Sequence, residues 1–233
     1  MTRCLDLDIG NSRTKWRCGP ERGSVESGVL PQLHTSIDRV RVASVISSHG
    51  TIESSIRGNF GVDPEFAFSS HTLAGVTNCY KEPRTLGVDR WLALVAAWNS
   101  VRSSVLVIDA GTALTVDVAN ERGLHMGGYI APGLETMRES LAADTDNVQV
   151  AFLSNCGSNL DFGTNTEEAV QNGLLSMVVA WLSRCRILAK GVCDNAPTVF
   201  LTGGDGERLS RWLDFSCQIR PDLVLEGLAI ALP

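Results

Sequence analysis

The stretch Asp8-Ile9-Gly10-Asn11-Ser12-Arg13-Thr14-Lys15 decides the fold, because a related stretch, Asp109-Ala110-Gly111-Thr112-Ala113-Leu114-Thr115, occurs in the second half of the chain. Each copy follows an apolar strand, places a carboxylate at the strand end, and continues with glycine and a small polar residue. Self-similarity of this kind is typical of duplicated structural units. We therefore predict two related lobes, each opening with a strand, a tight turn and a second strand.

The two turns carry groups that suit a polyphosphate. Glycine lets the backbone come close to a ligand, and the N–H groups of a tight turn can face phosphate oxygens. The neighbouring carboxylate can hold a hydrated divalent cation, which prefers oxygen ligands. A single Asp-x-Gly turn is explained equally well as an ordinary polar hairpin. Two copies in matching lobes favour a shared phosphate site in the cleft between the lobes.

The composition excludes several classes of protein. The chain has 233 residues, of which 44 % are hydrophobic and 20 % are charged, and its formal net charge is −6. These values are typical of a globular protein, and the lack of any Lys/Arg run argues against a nucleic-acid-binding surface. The N-terminus lacks the charged-then-apolar order of a secretory signal, and the uncharged stretches are too short to span a bilayer. We expect neither nucleic acid nor membrane as a partner.

The cysteines and histidines form no recognisable ligand pattern. Seven cysteines occur at positions 4, 18, 79, 156, 185, 193 and 217, without a Cys-x-x-Cys pair. This odd number indicates neither a disulfide framework nor a zinc site, so we expect mostly buried, reduced thiols in a cytoplasmic protein. The histidines at 34, 49, 71 and 125 are expected on the surface or in loops.

Hydrophobic periodicity and turn signals divide the chain into two similar sets of elements. Predicted strands are 3–9, 13–18, 23–29, 40–46 and 65–69, then 104–109, 113–119, 124–130, 198–202 and 215–220. Predicted helices are 51–59, about 87–101, 132–143, 165–189, 205–213 and 221–231. Each lobe, 1–102 and 103–233, is expected to be a mixed α/β sheet of three antiparallel strands followed by alternating helices and strands.

Local signals set several helix ends. Pro132 is expected to begin one helix, since proline is favoured in the first helical turn. Thr164 or Asn165 is expected to cap the long helix, and Gly191 to terminate it. The glycines of Gly127-Gly128 and Gly133 are interpreted as backbone requirements near the cleft.

A third glycine-rich segment, Leu201-Thr202-Gly203-Gly204-Asp205-Gly206, lies between a predicted strand and a predicted helix. Glycines there would open a helix N-terminus to a ligand through its dipole and free N–H groups. The alternative is a plain strand-to-helix turn capped by Asp205. Beside the two hairpin turns, we interpret the segment as the wall that closes a nucleotide site.

These features resemble the superfamily of acetate and sugar kinases, hsc70 and actin. One segment narrows the resemblance: Tyr80-Lys81-Glu82-Pro83-Arg84-Thr85-Leu86-Gly87-Val88-Asp89-Arg90-Trp91 is similar to the substrate motif of type III pantothenate kinases. Gly127-Gly128-Tyr129-Ile130-Ala131-Pro132-Gly133 and Gly163-Thr164-Asn165-Thr166-Glu167-Glu168-Ala169 agree with it. The similarity runs from about residue 5 to 230. It implies two duplicated ribonuclease H-like lobes of the actin-like ATPase type, with the active site in the interlobe cleft.

The resemblance implies roles for individual residues. ATP would be bound by residues of the first turn, the second turn and the glycine-rich segment: Asp8, Ile9, Gly10, Asn11, Ser12, Arg13, Thr14, Lys15, Thr112, Gly203 and Gly204. Pantothenate would be bound by Tyr80, Gly87, Val88, Asp89, Arg90 and Thr166. Asp89 would be the general base, and Arg90 would bind the substrate carboxylate.

The same resemblance implies cofactors and assembly. Asp109 would bind a monovalent cation, K⁺ or NH₄⁺, and Asp8 would bind Mg²⁺, directly or through water. The family is dimeric, so the long helix would be a dimer helix and Thr166 would reach substrate held by the partner chain. The implied reaction is ATP-dependent phosphorylation of pantothenate to 4'-phosphopantothenate, the first step of coenzyme A biosynthesis.

The chain departs from the family at Asp144-Thr145-Asp146-Asn147-Val148-Gln149-Val150, where a Leu-Pro step is usual, and this change could reshape a loop at the cleft edge.

Three alternatives to a pantothenate kinase remain open at this point. A non-catalytic or regulatory relative, such as a transcriptional accessory protein, would keep the fold without the chemistry. A kinase for another small alcohol, such as a sugar, or a polyphosphate phosphatase would keep the fold with another reaction. Without the family resemblance, the residues indicate a two-lobed ATP-dependent phosphotransferase but not its substrate.

Overall fold

A computed structural model describes residues 3–143 and 160–233. The first five strands form one sheet: β1 (Cys4–Ile9), β2 (Arg13–Cys18), β3 (Glu21–Glu26), β4 (Arg39–Ser44) and β5 (Pro64–Phe66). Their order across the sheet is β3-β2-β1-β4-β5. The first three strands pair antiparallel, whereas β4 and β5 continue the sheet in parallel. A small hairpin, β6 (Thr72–Leu73) and β7 (Val76–Thr77), follows them.

The second sheet repeats this topology. It contains β8 (Val105–Ala110), β9 (Ala113–Ala119), β10 (His125–Pro132), β11 (Thr198–Thr202) and β12 (Gln218–Ile219). Their order across the sheet is β10-β9-β8-β11-β12. As in the first sheet, the first three strands pair antiparallel, and β11 and β12 continue the sheet in parallel. The predicted duplication and mixed α/β fold class are therefore confirmed strand by strand.

Six α-helices cover the sheets in the described part of the chain. They are α1 (His49–Phe60), α2 (Val88–Val101), α3 (Leu134–Ala143), α4 (Thr166–Val192), α5 (Gly206–Ser210) and α6 (Leu223–Ala231). A single 3-10 turn at Pro83–Thr85 precedes α2. Among residues 3–143 and 160–233, no helix is long and apolar enough to cross a bilayer.

Three apolar clusters stack these elements in layers. The outer face of the first sheet packs against α1, and the outer face of the second sheet packs against α4. Between the two sheets, α2 and α6 form a common helical layer, whose core includes Trp91, Phe200 and Leu228. The two helices touch closely, because a Cβ on Gly227 would lie 2.1 Å from the carbonyl oxygen of Leu92.

The last helix therefore packs against the first sheet although it follows the second. Arg17 and Arg41 of the first sheet donate to the carbonyls of Leu225 and Leu232, at 3.0 and 2.6 Å. The proposed division at 102 and 103 follows the order of the strands along the chain, while the helical layer is common to both lobes.

Several element ends differ from the sequence expectations. Pro132 belongs to β10, at the edge of the second sheet, and the helix starts at Leu134. The long helix runs through Gly191 to Val192, and its N-cap is Asn165, whose side chain accepts from the N–H of Glu168. The expected helix 205–213 ends at Ser210, and the expected strand 215–220 shrinks to two residues. The departure at 144–150 lies outside the described residues.

The expected places of two residue types are corrected. His125 was expected on the surface, yet it is 1 % exposed and hydrogen-bonded within the second lobe. Of the six cysteines in the described ranges, Cys185 alone is buried and Cys79 is exposed, and all six are free thiols. The expectation of mostly buried thiols is therefore wrong for the described cysteines.

Candidate active site

The two glycine turns meet in space. The hydroxyl groups of Ser12 and Thr112 lie 2.7 Å apart and form a hydrogen bond from one lobe to the other. In each turn the N–H of the glycine donates to a carbonyl group of the following strand. Gly10 donates to Arg13, and Gly111 donates to Ala113. The duplicated loops therefore form one composite surface at the carboxyl ends of β1 and β8.

Three carboxylates and one lysine form an electrostatic cluster beside this surface. Burial raises the pKa of Asp8 to about 7; Lys15, its cross-strand partner, opposes the shift, and Asp89 and Asp109 add to it. Burial likewise raises the pKa of Asp109 to about 6, with Lys15 opposing and Asp89 contributing. Lys15 also reaches the carbonyl of Pro221, at 3.5 Å. The cluster brings together side chains from both lobes and from α2.

Asp89 is positioned by the start of α2. Its Oδ1 accepts a hydrogen bond of 2.7 Å from the N–H of Arg90, and it lies close against Gly87, where a Cβ would meet it at 2.6 Å. Burial raises the pKa of Asp89, whereas this backbone hydrogen bond opposes the shift. The dipole of α2 likewise favours the ionised form of a carboxylate at this end of the helix.

The guanidinium group of Arg90 reaches into the second lobe. Its Nε and Nη2 donate to the two carboxylate oxygens of Asp117, at 2.8 and 2.7 Å. Its Nη1 donates to the hydroxyl group of Tyr80, at 3.1 Å. Tyr80 in turn stacks on His125, with ring centroids 5.9 Å apart. The binding of a substrate carboxylate by Arg90 stays a prediction, and any such contact would use N–H groups that Asp117 and Tyr80 leave free.

Two glycines of the second lobe support the Gly111–Thr112 turn through close backbone contacts. A Cβ on Gly133 would lie 2.0 Å from the carbonyl oxygen of Gly111. Gly203 has a φ of +90°, and its Cβ would lie 2.3 Å from the carbonyl oxygen of Ala110. Gly204 faces open space, with nothing within 4 Å of such a Cβ. The glycine-rich segment is therefore held against the second turn.

Thr166 is the site residue that the described chain does not bring to the cluster. It is the first residue of α4, is exposed, and has no contact in the described ranges that joins it to Asp89. The adjoining N-terminal turn is well ordered by local bonds, since Glu168 accepts from both the N–H and the hydroxyl group of Thr164. The contact of Thr166 with substrate held by a partner chain stays a prediction.

A cavity of about 230 Å³ lies beside the start of α2. Residues 44–45, 67–69 and 84–88 line it, so it sits at the carboxyl ends of β4 and β5 and ends at Gly87 and Val88. Ligands of open α/β sheets bind at this edge. The cavity adjoins the residue directly before Asp89 and provides space next to it.

Within residues 3–143 and 160–233, no group of three or more His, Cys, Asp or Glu side chains has the arrangement of a metal site. The carboxylate cluster nonetheless fits a cation. Asp89 raises the pKa of both Asp8 and Asp109, and Asp109 also raises the pKa of Asp8, so a cation among these carboxylates would relieve their repulsion.

Sequence reasoning missed Asp117 and misplaced His125. One signal was present, because Asp117 interrupts the apolar run of β9 and is 2 % exposed in the structure. A charged residue in a buried strand requires a partner. The sequence does not identify that partner, since Arg90 lies on a helix of the other half of the chain.

Two lobes of repeated topology, with paired glycine turns and a carboxylate cluster between them, define an actin-like fold with a site suited to phosphoryl transfer. The chain belongs to the type III pantothenate kinase family, whose model matches residues 20–186. The type III pantothenate kinase of Alcanivorax borkumensis is 35 % identical over 96 % of both chains, and that of Ectopseudomonas mendocina is 38 % identical over 98 % of both.

Solved structures agree on the fold. A Baf family protein from Campylobacter jejuni superposes with a TM-score of 0.61 at 21 % identity, covering 97 % of this chain and 95 % of that one. The ethanolamine utilization protein EutJ from Carboxydothermus hydrogenoformans gives a TM-score of 0.50 at 12 % identity, covering 98 % and 88 %. At these identities the likeness shows the two-lobed fold alone.

Proposed function

We propose that this protein transfers the γ-phosphoryl group of ATP to the hydroxyl group of pantothenate, giving 4'-phosphopantothenate, the first step of coenzyme A biosynthesis. The observation that carries the proposal is the position of Asp89, which shares one electrostatic cluster with the carboxylates of both hairpin loops. The names of the relatives support pantothenate as the acceptor.

In this mechanism Asp89 accepts the proton of the acceptor hydroxyl group. Phosphoryl transfer passes through a loose transition state, so positioning and charge neutralisation matter more than a strong base. Burial raises the pKa of Asp89 above its usual value, so the carboxylate takes up a proton more readily. The cavity that ends at Gly87 provides room for the acceptor beside this carboxylate.

The nucleotide is proposed to bind across the two turns. Residues Asp8 to Lys15 and Thr112 would contact the phosphates through backbone N–H groups, hydroxyl groups and the Lys15 ammonium. Gly203 and Gly204 would approach the adenosine, since Gly204 faces open space and Gly203 fixes the segment against the second turn. The hydrogen bond between the Ser12 and Thr112 hydroxyl groups brings the two turns together, which supports a shared phosphate site.

Two cations are proposed for the site. Asp8 would hold Mg²⁺, directly or through water, and the ion would neutralise charge on the phosphate oxygens. Asp109 would hold the monovalent cation, K⁺ or NH₄⁺. Both carboxylates have a raised pKa, which a neighbouring cation would lower again.

A homodimer is proposed, with Thr166 of one chain completing the acceptor site of the other. An exposed apolar surface supports it: Tyr129 and Ile130 on β10 are 51 % and 65 % exposed, and Met177 on α4 is 52 % exposed. Tyr129 also contacts Trp181, so β10 and α4 present one continuous face.

Mixing two inactive variants tests this assembly. Asp89→Asn and Thr166→Val chains would each lose turnover alone. In a mixed dimer, one site would combine the intact Asp89 of one chain with the intact Thr166 of the other, so activity should return on mixing. A mixture that stays inactive, although light scattering shows dimers that exchange chains, would refute the shared site.

We further propose a cytoplasmic enzyme with no nucleic-acid partner. The free thiols of the described cysteines fit a reducing compartment, and the acidic net charge of −6 opposes binding to phosphate backbones. Cell fractionation and a gel shift at low salt would check both statements, and a retarded complex would contradict the second.

The experiment that tests the function is ATP consumption by the purified protein with Mg²⁺, with and without pantothenate, in potassium and in sodium buffer. We expect turnover that depends on pantothenate and is faster in potassium. Folded protein that binds ATP but shows no such turnover would overturn the proposed substrate. Equal rates in both salts would overturn the monovalent cation at Asp109.

A further inference from the structure

The acceptor motif is anchored to a buried charged network in the second lobe. Asp117 is 2 % exposed and His125 is 1 % exposed. Asp117 Oδ1 lies 3.0 Å from His125 Nε2 and 2.7 Å from Arg90 Nη2, while Oδ2 accepts from Arg90 Nε at 2.8 Å. One carboxylate therefore joins Arg90, on α2, to His125, at the start of β10.

The chemistry of the partners fixes the proton positions. An ionised carboxylate only accepts hydrogen bonds, so His125 must carry a proton on Nε2 and donate it to Asp117. The other ring nitrogen, Nδ1, lies 3.5 Å from the sulfur of Cys79. The ring is thereby held at both nitrogens, and its face stacks on Tyr80.

The network is enclosed by a residue that has no side chain. Gly128 of β10 lies opposite Asp117 in the strand register. A Cβ there would lie 2.4 Å from the Asp117 carboxylate and 2.7 Å from Arg90 Nη2. Gly128 of the sequence motif is thus explained, because only glycine lets β10 pass over the ion pair, while Gly127 has a φ of +106°.

These contacts have one common result, the fixing of Arg90 and Tyr80 relative to Asp89. Arg90 is tied through Asp117, and Tyr80 is tied both to Arg90, at 3.1 Å, and to His125. Arg90 directly follows Asp89 and donates its backbone N–H to it. A shift of the guanidinium group would therefore disturb both the acceptor contacts and the proposed base.

We propose that Asp117 and His125 are positioning residues of the acceptor site, which hold Arg90 and Tyr80 in the geometry that binds the acceptor. The proposal rests on the proposed function, since it deepens the same site. Asp117 and His125 do not touch the reacting atoms, and their effect passes through Arg90 and Tyr80.

The test uses a matched pair of substitutions at His125. Gln places an amide donor where the Nε2–H group lies, whereas Leu removes the donor and fills the space with an apolar side chain. We expect His125→Leu to raise the KM for pantothenate at least threefold and Asp117→Asn at least tenfold. The KM for ATP should change less than twofold, and His125→Gln should stay near the native values.

The chain offers a control for general loss of stability. Asp6 is a second buried carboxylate, 3 % exposed, which binds Arg41 through both oxygens at 2.7 and 3.1 Å and also binds Arg17 at 2.8 Å. It lies under α6, away from the acceptor motif. We expect Asp6→Asn to lower the Tm by a similar amount without changing the KM for pantothenate.

A substrate-free readout separates this proposal from the proposed function. The Arg90 Nε–H resonance, assigned by its loss in Arg90→Lys, should exchange slowly with solvent in the native protein and in His125→Gln, and faster in His125→Leu and Asp117→Asn. Equal exchange in all four proteins would overturn the positioning role, whichever acceptor is phosphorylated. Native protein without pantothenate-dependent turnover would overturn only the substrate. Equal pantothenate KM values for His125→Leu and His125→Gln would also refute the positioning role.

Discussion

Asp89 combines a raised pKa with a position that its own helix fixes. Burial disfavours its charge, and the N–H of Arg90 restores part of it. Burial therefore strengthens the affinity of Asp89 for a proton, whereas the hydrogen bond from Arg90 favours its ionised form. A solvated aspartate in the first turn of a helix would lack this effect of burial on its pKa.

We predict that Asp89→Asn abolishes turnover but keeps ATP binding. The amide preserves the size of the side chain but cannot take the proton, and general bases contribute about 10²- to 10⁴-fold to rates. Steady-state kinetics and calorimetric titration with ATP measure the two properties. Glu82→Gln, in the same segment but exposed, serves as the control. Turnover within tenfold of the native rate would contradict the base assignment.

Asp8 leads to a prediction about stability. Its pKa rises from 3.8 to about 7 on folding, so the folded chain binds the proton more tightly than the unfolded chain. The contribution of Asp8 to stability therefore falls as the pH rises through that window. We expect Asp8→Asn to raise the Tm of the unliganded protein above pH 7 by roughly 2–6 °C, equivalent to about 1–2 kcal/mol.

Calorimetry at pH 5 and pH 8 measures the effect of Asp8. The gain should be larger at pH 8, where the native carboxylate is charged, and the variant should lose activity. A variant less stable than the native protein at both pH values would show that the Lys15 contact outweighs the cost of burial.

Sequence reasoning at this scale worked where a residue lies inside a motif. Asp8 and Asp109 follow from the repeat, and the structure brings both into one cluster with Asp89. Asp117 could not be assigned, because its partner Arg90 comes from a helix in the other half of the chain. Pairings of this kind depend on how the lobes pack, which no local pattern contains.

At the scale of elements, the second turn depends on glycines that come from two other segments. Gly133 precedes α3, and Gly203 precedes α5. Each packs its bare Cα against the backbone of the turn between β8 and β9. The glycines at 111, 133 and 203 therefore belong to one packing unit.

We predict opposite behaviour for two adjacent glycines. Gly203→Ala should lower the stability of the unliganded protein by about 2 kcal/mol or more, because its φ is +90° and its Cβ would clash with Ala110. Gly204→Ala should cost less than about 0.5 kcal/mol, because nothing lies within 4 Å. Chemical denaturation measures both values, and equal losses would refute the packing argument.

Helix ends show the limits of local signals. Gly191 was expected to stop α4, but the face of the helix that carries Leu182, Cys185 and Ala189 packs into the second core. That packing outweighs the cost of about 1 kcal/mol for a helical glycine. Pro132 lies on the edge strand β10, where a missing N–H is tolerated. Tertiary packing decided both ends.

At the scale of the whole molecule, the lobes share the layer made by α2 and α6. At Gly227 these helices leave no room for a Cβ, which would meet the backbone of Leu92. Because α6 packs on the first sheet and α2 packs on both, the layer couples the two sheets. We therefore expect cooperative unfolding of the whole chain.

We predict that Gly227→Ala loosens both sheets together. Its Cβ would lie 2.1 Å from the Leu92 carbonyl oxygen, so the helices must separate, at a cost of about 1–3 kcal/mol. Hydrogen exchange of β1 and β8 measures the coupling, and both should lose protection. Gly191→Ala, a helical glycine with open space, should stabilise by about 0.5–1 kcal/mol. Loss confined to one sheet would contradict the common layer.

The position of α6 also has a consequence for protein synthesis. The first sheet is made early, yet the helix that covers its inner face, Leu223–Ala231, is synthesised after every other element of the described ranges. At roughly 5–20 residues per second, the nascent first sheet must wait on the order of 10–40 s with an apolar face uncovered. During that interval, the growing chain is a natural client for chaperones.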